Sequence, residues 1–140
     1  MFASASRSNV SQRQAGAYRQ VFAATGVHGA SPHGLIKMLF DALVGTIAEA
    51  RGAMRSRNIP VKCNAIGRAV RIVDEGLCAA LNLEEGGALA AQLSGLYGYI
   101  AVRLTQANLK NDETSLDECL RLIEPLRSAW AQIADQVPAA

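Results

Sequence analysis

The chain has 140 residues, of which 50% are hydrophobic and 5% aromatic, and its 14 basic and 12 acidic side chains give a formal net charge of +2. A chain of this length can bury the core of one domain without disulfides or a metal. So small a charge gives no reason to expect a nucleic-acid or membrane partner. Ala and Leu are frequent in the second half of the chain, which favours packed helices over a β-sandwich.

The N-terminal region is distinguished by its lack of acidic residues. Residues 1–40 contain no Asp or Glu, and residues 1–17 are rich in Ser, Ala, Gln and Arg, a composition that organellar transit peptides and mobile tails share. We interpret residues 1–16 as a flexible tail, residues 17–135 as a helical domain and residues 136–140 as a C-terminal tail. Neither a signal-peptide core nor a segment long enough to cross a bilayer is present, so the chain is expected in the cytoplasm.

The first long helix is predicted from Pro32 to about Arg57. Ser31 suits the N-cap position, because its hydroxyl can accept a backbone N–H of the first turn, and Pro32 suits the first helical position. The segment Asn58-Ile59-Pro60 is expected to break the helix. Apolar residues recur between these ends at three- and four-residue spacing, which is typical of a helix that faces a core: Leu35, Ile36, Leu39, Phe40, Leu43, Ile47, Ala50 and Met54.

The same spacing predicts three further long helices. The second covers about residues 61–81 and the third about residues 88–108, with a turn over 82–87 between them. The fourth follows a break at 111–114 and reaches about Ile133. Short loops between long amphipathic helices favour antiparallel neighbours. The sequence therefore predicts an all-α fold, an antiparallel up-down four-helix bundle with a short N-terminal helical segment.

Three local features of these helices are predicted separately. The short N-terminal helical segment is expected over about residues 14–24. At the start of the fourth helix, Thr114 and Asp117 resemble a capping pair. Pro125 lies inside that helix and removes the hydrogen bond to the Arg121 carbonyl, which predicts a kink or a weakened turn.

Four glycines lie inside the predicted helices, where each costs about 1 kcal/mol relative to Ala. They are compatible with close approach of two helices or with room for the backbone of a ligand, and we favour close approach. These glycines are Gly45, Gly67, Gly95 and Gly98.

No arrangement of residues indicates catalysis, a metal site or a cofactor. Cys63, Cys78 and Cys119 are odd in number and form no Cys-x-x-Cys pair, so we expect free thiols in a reducing compartment. His28 and His33 both lack the Glu three residues earlier that a di-iron bundle requires. The chain is not expected to be an enzyme.

A cluster of basic residues surrounds the first predicted turn. Nucleic-acid binding would use such a cluster for phosphate contacts, but no aromatic residues interleave with it for base stacking. We interpret it as a solvated helix end. The cluster comprises Arg51, Arg55, Arg57, Lys62, Arg68 and Arg71.

The helices also carry more apolar residues than one core-facing stripe needs. A broad core with scattered surface hydrophobes explains the surplus, and so does a groove for the amphipathic helices of another chain. The sequence leaves both interpretations open. The residues concerned are Val44, Ile72, Tyr99, Val102, Leu109, Leu122 and Leu126.

Five short phrases occur in order along the chain: Ala30-Ser31-Pro32, Glu85-Gly86-Gly87 followed by Leu93, Leu96-Tyr97-Gly98-Tyr99, Ala107-Asn108-Leu109-Lys110-Asn111-Asp112, and Leu126-Arg127 with Ala129-Trp130. Their order and spacing resemble those of the FliS family, the flagellin-specific export chaperones. The resemblance runs from about Tyr18 to about Ile133. Gly98 departs from it, because the family usually has Asp at that position, and this difference could alter partner preference.

The resemblance implies a compact antiparallel helical bundle that binds the disordered C-terminal segment of flagellin in the cytoplasm. Binding would prevent premature polymerisation and aid delivery to the flagellar type III export gate. The implied partners are flagellin, an export-gate protein and, as a further candidate, a flagellar regulatory protein. The alternative is a helical-bundle chaperone or regulator for a different secretion substrate. A small enzyme or a nucleic-acid binder ranks third, since no site for either is found.

The resemblance also implies which residues contact partners. Tyr18 either switches between a self-covered and a substrate-bound state or caps one end of the core. Asn108 either bonds the backbone of an extended peptide or caps its own helix, and Tyr99 is expected nearer the surface than Tyr97. The predicted partner-binding residues are Tyr18, Val21, Ile66, Ile72, Val73, Tyr99, Asn108, Leu109 and Asp112.

Overall fold

A computed structural model of the chain describes residues 32–132. That part of the chain forms four helices and contains no strand, so the predicted all-α helical bundle is confirmed. The helices are α1 (Pro32–Arg55), α2 (Ile59–Arg71), which continues as a π-helical segment (Ile72–Cys78), α3 (Leu83–Lys110) and α4 (Glu113–Gln132). The segment predicted over 14–24, the Ser31 cap and Ile133 lie outside the described residues.

Contacts between helices fix their relative directions. Between α1 and α4, residue numbers rise along one helix as they fall along the other: the contacts join Arg55 to Glu113, Arg51 to Asp117, Asp41 to Arg127 and His33 to Trp130. Between α2 and α3, contacts join Lys62 to Asn108 and, sixteen residues further along α2, Cys78 to Ser94. Each of these two pairs of helices therefore runs in opposite directions.

The core follows the apolar spacing of the sequence. In α1 the predicted stripe is buried from Leu35 to Ala50, and Met54 packs against it. Tyr97 is also buried, and burial raises the pKa of its hydroxyl to about 12. The largest fully buried side chains come from all four helices and the π-helical segment: Leu39, Leu43, Ile47, Ile66, Leu77, Ile100, Leu104, Leu116, Ile123, Val73 and Cys119.

The starts of α2 and α3 differ from the prediction because Asn residues cap both helices. Asn58 Oδ1 accepts the Val61 N–H at 3.3 Å, so α2 begins at Ile59, inside the predicted break and two residues before the predicted start. Asn82 Oδ1 accepts the Glu85 N–H at 3.0 Å. The predicted turn over 82–87 is a single helical turn that follows Asn82 and ends in a kink at Gly87. Asn82 is extended, and Gly87 has a φ of 56° that glycine adopts readily, so the long unbroken part of α3 begins at residue 88, close to the predicted start.

The start of α4 is also capped by a different residue from the one predicted. Asp112 Oδ1 accepts the Thr114 N–H at 3.0 Å, and Asp112 Oδ2 accepts the Ser115 hydroxyl at 2.9 Å. The Thr114 hydroxyl also donates to Asp112 Oδ1. This hydrogen bond, followed by that of the Ser115 hydroxyl, lowers the pKa of the Asp112 carboxyl. The predicted Thr114–Asp117 pair is wrong, because the Asp117 carboxylate instead binds Arg51 of α1. The helix then continues through Pro125 to Gln132.

Gly76 lies in the π-helical segment and packs closely against Leu39 of α1. A Cβ on Gly76 would lie 2.7 Å from Leu39 Cδ2 and 3.2 Å from Leu39 Cδ1, and Leu39 is only 2% exposed. We therefore expect Gly76→Ala to lower the free energy of unfolding by about 1–3 kcal/mol through overpacking. Urea unfolding measures the change. Gly52→Ala is the control, because its Cβ meets nothing within 4 Å and Ala should raise stability there by up to about 1 kcal/mol. Equal stability of Gly76→Ala and the native protein would contradict the close contact.

The three cysteines are free and differ in exposure, which makes their reactivity a test of the packing. Cys63 is exposed, whereas Cys119 is buried, its thiol contacts the Ile100 carbonyl at 3.8 Å, and burial raises its pKa to about 11. Because the thiolate is the reactive form, we expect Cys63 to react first with an aromatic disulfide at pH 8. Cys119 should react only as the chain unfolds. Fast labelling that persists in Cys63→Ser at the native rate would contradict this order.

Candidate functional site

One face of α3 is exposed and uncharged over much of the helix. Its residues recur at four- and three-residue spacing, so they form one line, about 27 Å long at 1.5 Å per residue. Val102 is 54% exposed and Leu109 is 78% exposed, values far from those of the core. We define the α3 stripe as Ala91, Gly95, Gly98, Val102, Thr105 and Leu109, all of which are exposed.

The glycines of the α3 stripe face open space. A Cβ on Gly95 or Gly98 would meet no atom within 4 Å, the same holds for Gly45, and at Gly67 the nearest atom is a guanidinium nitrogen of Arg71 at 3.8 Å. The interpretation of these four glycines as points of close helix packing is therefore wrong. Gly95 and Gly98 leave two positions of the α3 stripe without side chains, so the backbone of another segment could approach the helix there.

The α3 stripe is bordered on the α4 side by a fixed polar group. The Tyr99 hydroxyl donates to Glu118 Oε2 at 2.7 Å, and Arg103 Nε donates to Glu118 Oε1 at 2.6 Å. The Tyr99 hydrogen bond, followed by that of Arg103, lowers the pKa of the Glu118 carboxyl. Tyr99 remains 44% exposed, so its ring is held in place beside the stripe with one side open.

The α3 stripe is bordered on the α2 side, at the C-terminus of α3, by Lys62 and Cys63. Lys62 is only 3% exposed, and its Nζ donates to the Asn108 carbonyl at 3.0 Å and to Asn111 Oδ1 at 2.5 Å. The Cys63 thiol lies 3.5 Å from Asn108 Oδ1. The backbone and side chain of Asn108, directly before Leu109, are therefore both held by α2.

The prediction of a solvated cluster of basic residues is wrong for Lys62, whereas Arg55, Arg57, Arg68 and Arg71 are exposed. Lys62 is buried, as described above. Three of the arginines form ion pairs between helices: Arg51 with Asp117, Arg55 with Glu113, and Arg68 with Glu49. Because the pairs are largely exposed, each contributes little to stability, but they align α1 with α2 and α4.

The predicted partner-binding residues are distributed unevenly. Leu109 belongs to the α3 stripe, and Tyr99 and Asn108 lie on its two borders. Asp112 caps α4. Ile72 is half-buried and packs against the core. Ile66 and Val73 are core residues at 2% and 0% exposure, so their side chains present no surface to a partner, and Tyr18 and Val21 lie outside the described residues.

The surplus of apolar residues divides between the two interpretations that the sequence left open. Val44, Ile72, Leu122 and Leu126 pack against the core, whereas Tyr99, Val102 and Leu109 are exposed. Ala91 and Thr105, which complete the α3 stripe, are not among the residues that the sequence singled out, and Gly95 had room for a ligand backbone only as the less favoured alternative. The three- and four-residue spacing of the α3 stripe could have revealed them, but that spacing is repeated on the buried side of the same helix.

Residues 32–132 hold no group of three or more His, Cys, Asp or Glu side chains that could bind a metal ion. Over the same range, no helix combines the length and the apolar character needed to span a membrane. A helical bundle with an open, uncharged face along one helix is typical of a module that binds other proteins.

Comparison with known proteins gives the family. The family model described as "Flagellar protein FliS" matches residues 14–137. The flagellar secretion chaperone FliS of Salmonella typhimurium is 42% identical over 84% of this chain and 87% of its own length. The chaperone FliSB of Pseudomonas aeruginosa is 42% identical (84% and 92%), and FliS of Vibrio cholerae is 37% identical (84% and 85%). The chain belongs to the FliS family of flagellar secretion chaperones, which are binding proteins and not enzymes.

Proposed function

We propose that this chain is a cytoplasmic chaperone of flagellar type III export that binds the disordered C-terminal segment of flagellin. Binding would cover apolar surface that flagellin otherwise buries only in the filament, and would thereby prevent premature polymerisation. The bound complex would then be delivered to the export gate. Membership of the family supports the chaperone role, and the α3 stripe is the observation in this chain that supports a bound segment.

The α3 stripe suits a displaceable partner. Full burial of a Val or Leu side chain is worth roughly 1.5–3 kcal/mol, and both Val102 and Leu109 are available. Ordering a disordered segment costs several kcal/mol. A few apolar anchors spread along about 27 Å would therefore give useful affinity and still permit release. Gly98, where the family usually has Asp, leaves the middle of the stripe uncharged and is expected to favour an apolar client.

The N-terminal part of the chain extends this proposal. Tyr18 and Val21 are assigned to partner binding, with Tyr18 as the switch between a self-covered and a client-bound state. The proposal also includes docking of the chaperone at the export gate and competition by a flagellar regulatory protein. It places the chaperone domain at residues 17–135. The alternative function, a chaperone for another secretion substrate, uses the same surface with a different client.

Isothermal titration with the cognate flagellin's C-terminal peptide of about 40 residues tests the proposal. We expect saturable one-to-one binding with a negative ΔCp, because apolar surface is buried as the peptide orders. Tyr18→Ala should change the affinity if Tyr18 covers or lines the binding surface. Absence of binding at high micromolar concentration, with correctly folded protein, would overturn flagellin as client and favour the alternative.

A further inference from the structure

We propose that Lys62 is a positioning residue for client binding, which fixes the C-terminal turn of α3 so that Asn108 and Leu109 present a rigid anchor. The inference rests on the proposed function, because it concerns the surface that the flagellin segment would contact. Lys62 acts through the Asn108–Asn111 turn and presents almost no surface of its own.

The first step of the argument is the environment of the ammonium group. At 3% exposure Lys62 is among the few charged or polar residues buried in residues 32–132, and no carboxylate of that part of the chain lies within 4.0 Å of its Nζ. A buried charge is costly unless it is hydrogen-bonded or paired. Here the partners are two neutral oxygens, the Asn108 carbonyl and Asn111 Oδ1.

These oxygens lie where a cation is favourable. The last carbonyls of a helix have no partner within the helix, and its C-terminus carries a partial negative charge. Lys62 of α2 therefore caps α3 from outside. Directly after α3 the chain turns at Asn111, whose backbone is left-handed at φ 51°. The backbone N–H groups of Asn111 and Asp112 both donate to the Ala107 carbonyl.

Stability alone does not require a lysine at this position. An apolar side chain of similar length could fill the site without the cost of a buried charge. Asn111 is exposed, so water can hydrogen-bond its Oδ1 when the lysine is absent. Water cannot fix the position of the turn as Lys62 does. The Cys63 thiol also contacts the Asn108 amide oxygen in this turn, and Leu109 projects from it at 78% exposure.

The test compares Lys62→Met with the native protein and with Lys110→Met. Lys110 lies in the same turn and is exposed. Its substitution therefore removes one positive charge but keeps the hydrogen bonds from Lys62 to Asn108 and Asn111. We expect Lys62→Met to weaken binding of the flagellin peptide about tenfold in titration, or about 1.4 kcal/mol, because the client must then order the turn that Lys62 holds in the native protein. Lys110→Met should bind within about twofold of the native protein, a difference well below 1.4 kcal/mol.

Two further readouts separate positioning from a general effect on folding. In a Leu109→Ala background, where the anchor is already lost, Lys62→Met should reduce affinity by less than about twofold, because the two changes act on one feature. Hydrogen exchange of the amides of residues 109–112 should be faster in Lys62→Met than in Lys110→Met. Equal losses of affinity in both backgrounds, or unchanged exchange, would overturn the inference.

A second variant covers failure of Lys62→Met to fold. Asn111→Gly retains the left-handed turn, which glycine adopts readily, and removes the side chain that carries the Oδ1 acceptor of Lys62. The affinity of this variant should fall in the same direction. Native affinity in every folded variant would overturn the positioning role. If the native protein itself fails to bind the peptide, the proposed function fails, and exchange at residues 109–112 still decides whether Lys62 fixes the turn.

Discussion

Leu109→Lys is expected to weaken binding of the flagellin C-terminal peptide by at least about tenfold, or about 1.4 kcal/mol, while leaving the fold intact. Leu109 is the most exposed of the large apolar residues in the described part of the chain, at 78%, so the native bundle gains little from its burial. A client would lose an anchor worth roughly 1.5–3 kcal/mol. It would also have to bury an unpaired charge. Lysine near a helix C-terminus is compatible with the helix.

The measurement is titration of the peptide into Leu109→Lys, with the free energy of unfolding from urea denaturation as the check on folding. Leu83→Lys is the control: Leu83 is 58% exposed and lies at the start of α3, before the kink at Gly87 and outside the α3 stripe. The control should bind like the native protein, and both variants should remain within about 0.5 kcal/mol of its stability. Equal loss of affinity in the two variants would show that the α3 stripe has no special role.

Trp130→Ala is expected to lower the free energy of unfolding by about 2–4 kcal/mol, near the lower end of the range for loss of a large aromatic side chain. The Trp130 ring stacks on His33, with centroids 4.5 Å apart and planes 9° from parallel. Its indole Nε1 donates to the His33 carbonyl at 2.9 Å. Trp130 thus joins the end of α4 to the start of α1, and its removal should allow both ends to fray.

Trp130→Phe distinguishes the two contributions. The phenyl ring can retain the contact with His33 but cannot donate the hydrogen bond, so its cost should be near 1 kcal/mol. Urea unfolding of the two variants at one pH gives both numbers. A Trp130→Ala variant as stable as the native protein would mean that the two helix ends are held by other contacts, such as the ion pair of Asp41 with Arg127.

The helices were predictable because their signals are local. The apolar spacing from Leu35 to Ala50 is realised as a buried face of α1, and the break near residues 111–114 is where α3 ends and α4 begins. The errors at helix starts were also local: Asn58, Asn82 and Asp112 are strong N-cap residues, yet they were interpreted as parts of turns. The π-helical segment at Ile72–Cys78 has no comparable signal in the sequence.

The surface was less predictable because exposure is a property of the assembled bundle. Leu109 and Leu104 are the same residue type five positions apart on α3, but one is 78% exposed and the other is fully buried. Lys62 was grouped with solvated basic residues, since nothing near it in the sequence indicates that Asn108 and Asn111, more than forty positions away, supply its oxygen partners.

The sequence by itself determined the helical class, the approximate limits of the helices, most of the core and, through five short phrases, the family. Each depends on neighbouring residues or on spacing along one helix. Only the tertiary structure decided which apolar residues face water, which glycines are open, and that Lys62 of α2 caps α3. Those properties arise when four helices, separated along the chain, exclude water from one face of each and leave the other faces free.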